Sequence, residues 1–158
     1  MPVPAAVLGA WLGSPNQVVA AVFYGAAGTA GALLFILLYE VHGTGHPLVL
    51  LHGGLGATSM FGANLPALSK GRQVIVVDLQ GHGRTADIDR PISPELMAGD
   101  IAALIKYLKL DRPDLMGYSL GGGVALFVAI RHPELVGKLV LVSTYVKRSA
   151  VYPEMLAQ

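Results

Sequence analysis

The feature that most constrains the fold of this chain is a regular alternation of short apolar runs with helical segments between residues 47 and 142. Four of the runs have the length and the composition of buried strands. They are Pro47–Leu51, Gln73–Val77, Asp114–Met116 and Val136–Val142. Strands that alternate with helices predict an α/β fold, which is a mostly parallel sheet with helices on both faces. Ligands of such sheets bind beyond the carboxyl ends of the strands, so the residues there are the functional candidates.

The intervening segments carry helix signals. Ser93, Pro94 and Glu95 supply a capping hydroxyl, a proline suited to the first helical position and an acid in the first turn. This combination predicts a helix that begins at Pro94. Residues 58–69 also show helical spacing of apolar side chains, and Pro66 is expected to kink or divide that helix. Leu120–Ile130 is apolar almost all round, which is typical of a helix buried between layers.

A G-x-S-x-G pattern, Gly117–Gly121, stands between the third strand and the helix that follows it. This is the context of a nucleophile elbow, in which a sharp turn strains the serine and projects its hydroxyl above the sheet. Gly117 and Gly121 are expected because side chains there would collide with the turn. Ser119 is therefore the candidate nucleophile, and the Leu120 amide is a candidate oxyanion donor. The alternative is an ordinary glycine-rich turn that is capped by serine.

A glycine-rich loop, His52–Gly56, follows the first of these strands. Such a loop lets a backbone amide face the serine and form the other half of an oxyanion hole. We expect this donor to be the Gly54 amide, with Leu55 as the neighbour that could replace it. His52 could be interpreted as a catalytic base, but its place before the glycines favours a hydrogen bond inside the loop that fixes the loop's shape.

Several motifs together resemble the N-terminal half of an α/β-hydrolase-fold serine hydrolase, of the esterase and lipase type. They are Tyr39–Gly45, Val49–Gly54, Val77–Arg84, Met116–Gly122 and His132–Val136, which occur in the order typical of that family. The resemblance implies Ser119 as nucleophile and the amides of Gly54 and Leu120 as oxyanion donors. It also implies that Asp78 and His82 are structural and brace a loop beside the active site. Small ester-type substrates are the default of the family, and no cofactor or metal is implied.

The expected triad partners of the serine are not found in this sequence. In this family the acid and then the histidine follow the serine along the chain. Here the histidine after Ser119 is His132, about 20 Å away at the far end of a helix. The acids after Ser119 are Glu134 and Glu154, and neither stands at a strand end. The resemblance therefore implies a domain truncated after about the sixth strand, with little activity unless a partner chain or continuation supplies the acid and the histidine.

The N-terminal segment, residues 1–38, differs from the domain that we assign to residues 39–158. No charged residue precedes Glu40, and Val18–Tyr39 is a run of 22 uncharged residues. Because about 20 such residues span a bilayer, we predict an apolar N-terminal helix that is either a membrane span or a non-native extension. No flanking Lys or Arg gives an orientation. As an alternative, Tyr39–His42 could belong to the last of the short antiparallel strands that open the hydrolase fold.

Composition excludes several classes of protein. The chain has no cysteine, so it has no disulfide or thiolate chemistry, and its scattered histidines lack metal-ligand spacing. A net charge of +1 offers no basic field for nucleic acid. A dinucleotide-binding loop, Gly54-x-Gly56-x-x-Ser59 with Asp78, is a weak alternative because the third glycine is missing. A non-catalytic, membrane-tethered binding module also stays open. A cytoplasmic location is favoured over a membrane anchor, and the oligomeric state is not indicated.

Overall fold

Six strands and three helices make up the part of the chain that the computed structural model describes, residues 16–26 and 32–147. The strands are β1 (Asn16–Ala26), β2 (Ala32–His42), β3 (His46–Leu51), β4 (Arg72–Asp78), β5 (Asp114–Tyr118) and β6 (Leu139–Val142). The helices are α1 (Leu65–Leu68), α2 (Pro94–Tyr107) and α3 (Leu120–Arg131), with 3₁₀ turns at Thr58–Phe61 and Pro133–Leu135. Glu154 and part of the N-terminal segment, residues 1–15 and 27–31, lie outside the described residues.

The strands form one sheet in the order β1-β2-β4-β3-β5-β6. Strands β4, β3, β5 and β6 are parallel to one another, whereas β1 and β2 join one edge as an antiparallel pair. The predicted α/β fold is therefore confirmed. Because β4, β3 and β5 are neighbours and parallel, their carboxyl ends lie side by side. The residues that follow Asp78, Leu51 and Tyr118 therefore come together at that end of the sheet.

The core lies on both faces of the sheet, as the alternation of side chains along β3 and β4 requires. Val49 and Leu51 face the cluster formed with α2 and α3, and Leu48 and Leu50 face a smaller cluster on the other side. The larger cluster also contains these buried residues of the two helices: Met97, Ala98, Ile101, Leu104, Ile105, Val124, Ala125 and Val128. Helix α2 begins as predicted, since the Ser93 side chain accepts a hydrogen bond from the Leu96 amide at 3.2 Å. The segment 58–69 is divided into a 3₁₀ turn and the short α1, which begins beside Pro66.

The prediction of an apolar helix over Val18–Tyr39 is wrong for the described residues of that segment. They form a hairpin instead, with β1 paired antiparallel to β2 and Leu38–His42 of β2 paired antiparallel to β4. Leu37 and Tyr39 are buried while Leu38 and Glu40 are half-buried, which is the period of a strand. The alternative assignment of Tyr39–His42 to an opening strand is confirmed, and β2 is continuous across the boundary that was predicted at residue 38.

The strand is favoured over the helix by tertiary contacts with β4. An uncharged apolar run satisfies the side-chain requirements of a membrane helix and of a buried strand equally well. What favours the strand is the outer edge of β4, whose backbone amides and carbonyls need partners. Within the described ranges, no helix combines the length and the hydropathy needed to cross a bilayer.

Candidate active site

Ser119 occupies the junction where β5 ends and α3 begins. Its backbone has φ 52° and ψ −113°, a left-handed conformation that residues with a Cβ rarely adopt. The Ser119 amide donates to the Val142 carbonyl at 2.9 Å, and the Gly123 amide donates to the Ser119 carbonyl at 3.1 Å. These two hydrogen bonds hold the serine in its strained turn, where it is exposed at the carboxyl end of the sheet.

Gly117 and Gly121 permit the close packing of this turn. A Cβ at Gly117 would lie 2.1 Å from the Gly121 carbonyl oxygen, and a Cβ at Gly121 would lie 2.3 Å from the Leu51 carbonyl oxygen. Both separations are far inside van der Waals contact, and the atoms that would be struck belong to the backbone, so they cannot rotate away. The spacing of the two glycines around Ser119 therefore follows from sterics.

We expect Ser119→Gly to raise the free energy of unfolding by about 1 kcal/mol, because glycine adopts a positive φ without the strain of about 1–3 kcal/mol. The greater freedom of glycine in the unfolded chain offsets part of that gain. Ser119→Ala keeps a Cβ at the same φ, so its stability should stay close to that of the wild type. Urea denaturation followed by circular dichroism measures both variants. Equal stability of the two variants would contradict the strain at this position.

The glycine loop, which we define as His52–Ala57, lies directly against the turn at Ser119. The Gly121 amide donates to the His52 carbonyl at 3.0 Å, and a Cβ built on Gly53 would lie 3.4 Å from the Cβ of Ser119. Within the loop, the Gly56 amide donates to the Gly53 carbonyl at 3.1 Å and Leu55 has φ 58°. The structure therefore brings together three of the predicted site elements, namely Ser119, the loop with Gly54 and Leu55, and the start of α3 at Leu120.

His52 is fully buried beneath this loop. Its Nδ1 lies 2.7 Å from the Gly53 carbonyl oxygen, to which it donates, and its Nε2 accepts a hydrogen bond from the Leu79 amide at 3.1 Å. Burial lowers the pKa of the imidazole, and the hydrogen bond to Gly53 opposes that shift only in part. Both ring nitrogens are therefore engaged in a neutral ring that ties the loop to the end of β4.

Asp78, the last residue of β4, is fully buried and accepts three hydrogen bonds from two residues, Thr58 and Arg84. Its Oδ1 accepts from the Thr58 amide at 2.7 Å, and its Oδ2 accepts from Arg84 Nε at 2.8 Å and from the Arg84 amide at 3.3 Å. Burial alone would raise the pKa of this carboxyl, but the hydrogen bonds from Thr58 and Arg84 outweigh burial and hold the pKa below its usual value. The group is therefore a charged structural anchor beside the glycine loop.

The remaining histidines are engaged elsewhere. His82 Nδ1 lies 2.7 Å from the Gln80 carbonyl oxygen, and its ring centroid is 5.2 Å from that of His52. His132 follows α3 and lies 3.7 Å from Glu134. His42 contacts Glu40, and His46 contacts Asp114 at the opposite end of the sheet. Within the described part of the chain, no histidine is seen to hydrogen-bond to Ser119, and no three potential metal ligands come together.

The side chains of Glu40 and Arg84, to which the sequence analysis assigned no individual role, also belong to this region. Glu40 of β2 accepts from Arg84 Nη2 at 2.7 Å and from the Thr58 hydroxyl at 3.2 Å. The same Arg84 nitrogen also lies 2.9 Å from the Thr58 hydroxyl oxygen. The sequence could have indicated Glu40, because it is the first charge after a long apolar run. A charged side chain among apolar residues needs a polar or charged partner.

Comparison with known proteins gives a consistent result. Residues 46–157 match the family described as alpha/beta hydrolase fold. A 2-hydroxymuconate semialdehyde hydrolase of Pseudomonas sp. (strain CF600) is 36% identical over 65% of this chain and 38% of its own length. A pimeloyl-[acyl-carrier protein] methyl ester esterase of Neisseria meningitidis is 40% identical over 68% of this chain and 41% of its own length.

Solved structures show the same architecture. A hydrolase from Pseudomonas aeruginosa PA01 superimposes with a TM-score of 0.71 at 26% identity, covering 87% of this chain and 51% of that one. The chain spans about 38–44% of the length of curated relatives that it matches. The match in sequence covers most of the chain and includes the turn at Ser119 as well as the glycine loop. This chain therefore belongs to the α/β-hydrolase fold family.

Proposed function

We propose that this chain supplies the nucleophile and the oxyanion hole of a serine hydrolase that acts on ester-type substrates. The observation that carries the proposal is the strained, exposed Ser119 packed directly against the glycine loop. The relative named as a methyl ester esterase supports ester hydrolysis, and the relative named as a semialdehyde hydrolase supports hydrolysis more generally. No cofactor is needed for this reaction.

In the proposed reaction the Ser119 hydroxyl attacks the carbonyl carbon of the ester while its proton passes to a general base. The resulting oxyanion accepts hydrogen bonds from the amides of Gly54 and Leu120. Leu120 is suited to this role because it is the first residue of α3, so its amide has no acceptor within the helix and lies at the positive end of the dipole. Collapse of the intermediate expels the alcohol, and water then hydrolyses the acyl-enzyme.

The general base and its acid are proposed to come from outside these 158 residues. All five histidines of the sequence lie among the described residues, and each has the partner given above. His52 uses both ring nitrogens, and His132 lies at the far end of the 12-residue α3. A serine without its base keeps only about 10³–10⁴-fold catalysis over water from the oxyanion hole and binding. We therefore expect low activity from this chain alone.

A fluorophosphonate probe tests the proposal, with mass spectrometry to locate the modified residue. We expect slow labelling at Ser119, none in Ser119→Ala, and faster labelling when imidazole is added, because a diffusible base replaces part of what a positioned base supplies. Ser143→Ala is the matched control, since Ser143 is also exposed, has φ 50° and follows the neighbouring strand β6.

The result has a clear interpretation. Labelling that survives in Ser119→Ala, or that is lost in Ser143→Ala, contradicts Ser119 as the nucleophile. If the wild-type chain stays unlabelled at high probe concentration, with and without imidazole, the proposal that it supplies the nucleophile of a hydrolase is wrong. That result would favour a non-catalytic binding module built on the same fold.

A further inference from the structure

The glycine loop is anchored at both of its ends to the carboxyl end of β4. At its start the Leu79 amide donates to His52 Nε2 at 3.1 Å, and directly after its end the Thr58 amide donates to Asp78 Oδ1 at 2.7 Å. Inside the loop, the described backbone contacts include one short turn, Gly56 to Gly53. The Gly121 amide holds the start of the loop directly, at the His52 carbonyl. The position of the rest of the loop relative to Ser119 therefore depends on how firmly the end of β4 holds these anchors.

Arg84 is the side chain that joins the second anchor to the rest of the sheet. Its Nε donates to Asp78 Oδ2 at 2.8 Å, while its Nη2 contacts Glu40 Oε1 at 2.7 Å and the Thr58 hydroxyl at 2.9 Å. Three segments that are distant in sequence thus meet on one guanidinium group: β2, the residue directly after the loop, and the end of β4. A carboxylate held in this way keeps its oxygen aimed at the Thr58 amide.

We propose that Arg84 is a positioning residue for the glycine loop, and hence for the Gly54 amide beside Ser119. The role as an oxyanion positioner rests on the function proposed above. The planar guanidinium is suited to it because its donors point in fixed directions toward the acceptors on Asp78 and Glu40. A lysine would keep the charge but would present it as a single point, so it should hold the loop less well.

The chain contains a matched control for this proposal. Arg72 donates to Asp114 at 2.8 Å, and the exposed fractions of the two side chains, 41% and 7%, are close to the 37% and 0% of Arg84 and Asp78. The Arg72–Asp114 pair lies at the amino ends of β4 and β5, away from the glycine loop. Removing Arg72 should therefore reproduce a general loss of an ion pair without a local effect on the loop.

Amide hydrogen exchange followed by NMR tests the anchoring directly in Arg84→Met, Arg84→Lys and Arg72→Met. In Arg84→Met we expect the amides of Gly56 and Thr58 to exchange at least about tenfold faster, because local opening of the loop becomes more frequent. Arg84→Lys should fall between Arg84→Met and the wild type. The amides of α3 beyond its first turn, residues 124–131, do not hydrogen-bond to the loop and should keep their wild-type rates, which shows that the fold is intact.

A second readout separates positioning from general stability. The maximal rate of fluorophosphonate labelling at Ser119 should fall by about tenfold in Arg84→Met, whereas the concentration for half-maximal rate should change little, because the donors act on the developing oxyanion. Three results would each overturn the proposal. The amides of Gly56 and Thr58 could exchange at wild-type rates in Arg84→Met, or they could accelerate equally in Arg72→Met. Arg84→Lys could also match the wild type in both exchange and labelling rate. If the wild type is not labelled at all, the proposed function fails, and the exchange rates alone decide whether Arg84 holds the loop.

Discussion

Gly121→Ala is expected to lower the free energy of unfolding by about 3 kcal/mol or more, the upper end of what overpacking costs. The added Cβ would lie 2.3 Å from the Leu51 carbonyl oxygen and 2.5 Å from the His52 carbonyl oxygen. Both atoms belong to the backbone of β3 and the glycine loop, so α3 or the loop has to move. Either movement also breaks the hydrogen bond from the Gly121 amide to His52, which joins the Ser119 turn to the loop.

Urea denaturation at pH 7 measures this loss, and Gly99→Ala is the matched control. Gly99 lies inside α2, where a Cβ would meet no atom within 4 Å apart from the adjacent backbone of its own helix. Alanine there should raise stability by about 0.5–1 kcal/mol, because it favours the helix over the unfolded chain. Opposite signs at the two glycines would show that contact at Gly121 decides the result. A Gly121→Ala variant as stable as the wild type would contradict the close approach of α3 to β3.

Asp78→Ala is expected to lower the free energy of unfolding by about 2–4 kcal/mol, because it removes a buried carboxylate that is paired and hydrogen-bonded. The change leaves the Thr58 amide without its acceptor in a buried position. The cost stays below that of a fully buried ion pair, since the Arg84 side chain is 37% exposed and water can solvate its charge.

Asp87→Ala is the control for Asp78→Ala. Asp87 belongs to the same loop region and accepts hydrogen bonds from the Gln80 side chain at 2.8 Å and the Ile88 amide at 2.9 Å. Because Asp87 is exposed, water can replace those bonds, and the loss of stability should be much smaller. An Asp78→Ala variant that is no less stable than Asp87→Ala would contradict the anchoring role of Asp78.

The contribution of Asp78 to the free energy of unfolding should also depend on pH, and it should decrease as the pH falls. Its pKa in the folded protein lies below the ordinary value of 3.8. A carboxyl with a lowered pKa stabilises the folded state above its unfolded pKa, and that contribution is lost as the pH falls through the folded value. The difference in stability between the wild type and Asp78→Ala should therefore be complete at pH 7 and shrink below about pH 4. A difference that grows on acidification would contradict this sign.

The turn at Ser119 could be predicted from sequence because its constraints are local. Gly117, Ser119 and Gly121 lie within five residues, and the close contacts that exclude side chains there arise from the turn itself and the strand beside it. The anchoring by Arg84 could not be predicted in this way. Arg84 and Glu40 are 44 residues apart, and no local pattern indicates that they meet.

The sequence by itself determined the α/β class, the alternation of helices with strands of a mostly parallel sheet, and the candidate nucleophile at a strand end. Periodicity and local sterics suffice for these features. The tertiary structure alone decided that the apolar segment before Glu40 contributes a hairpin, and that Arg84 joins that hairpin to Thr58, directly after the glycine loop. The apolar run is compatible with a helix and with a strand. The choice depends on the unpaired edge of β4, which exists only once the sheet has formed.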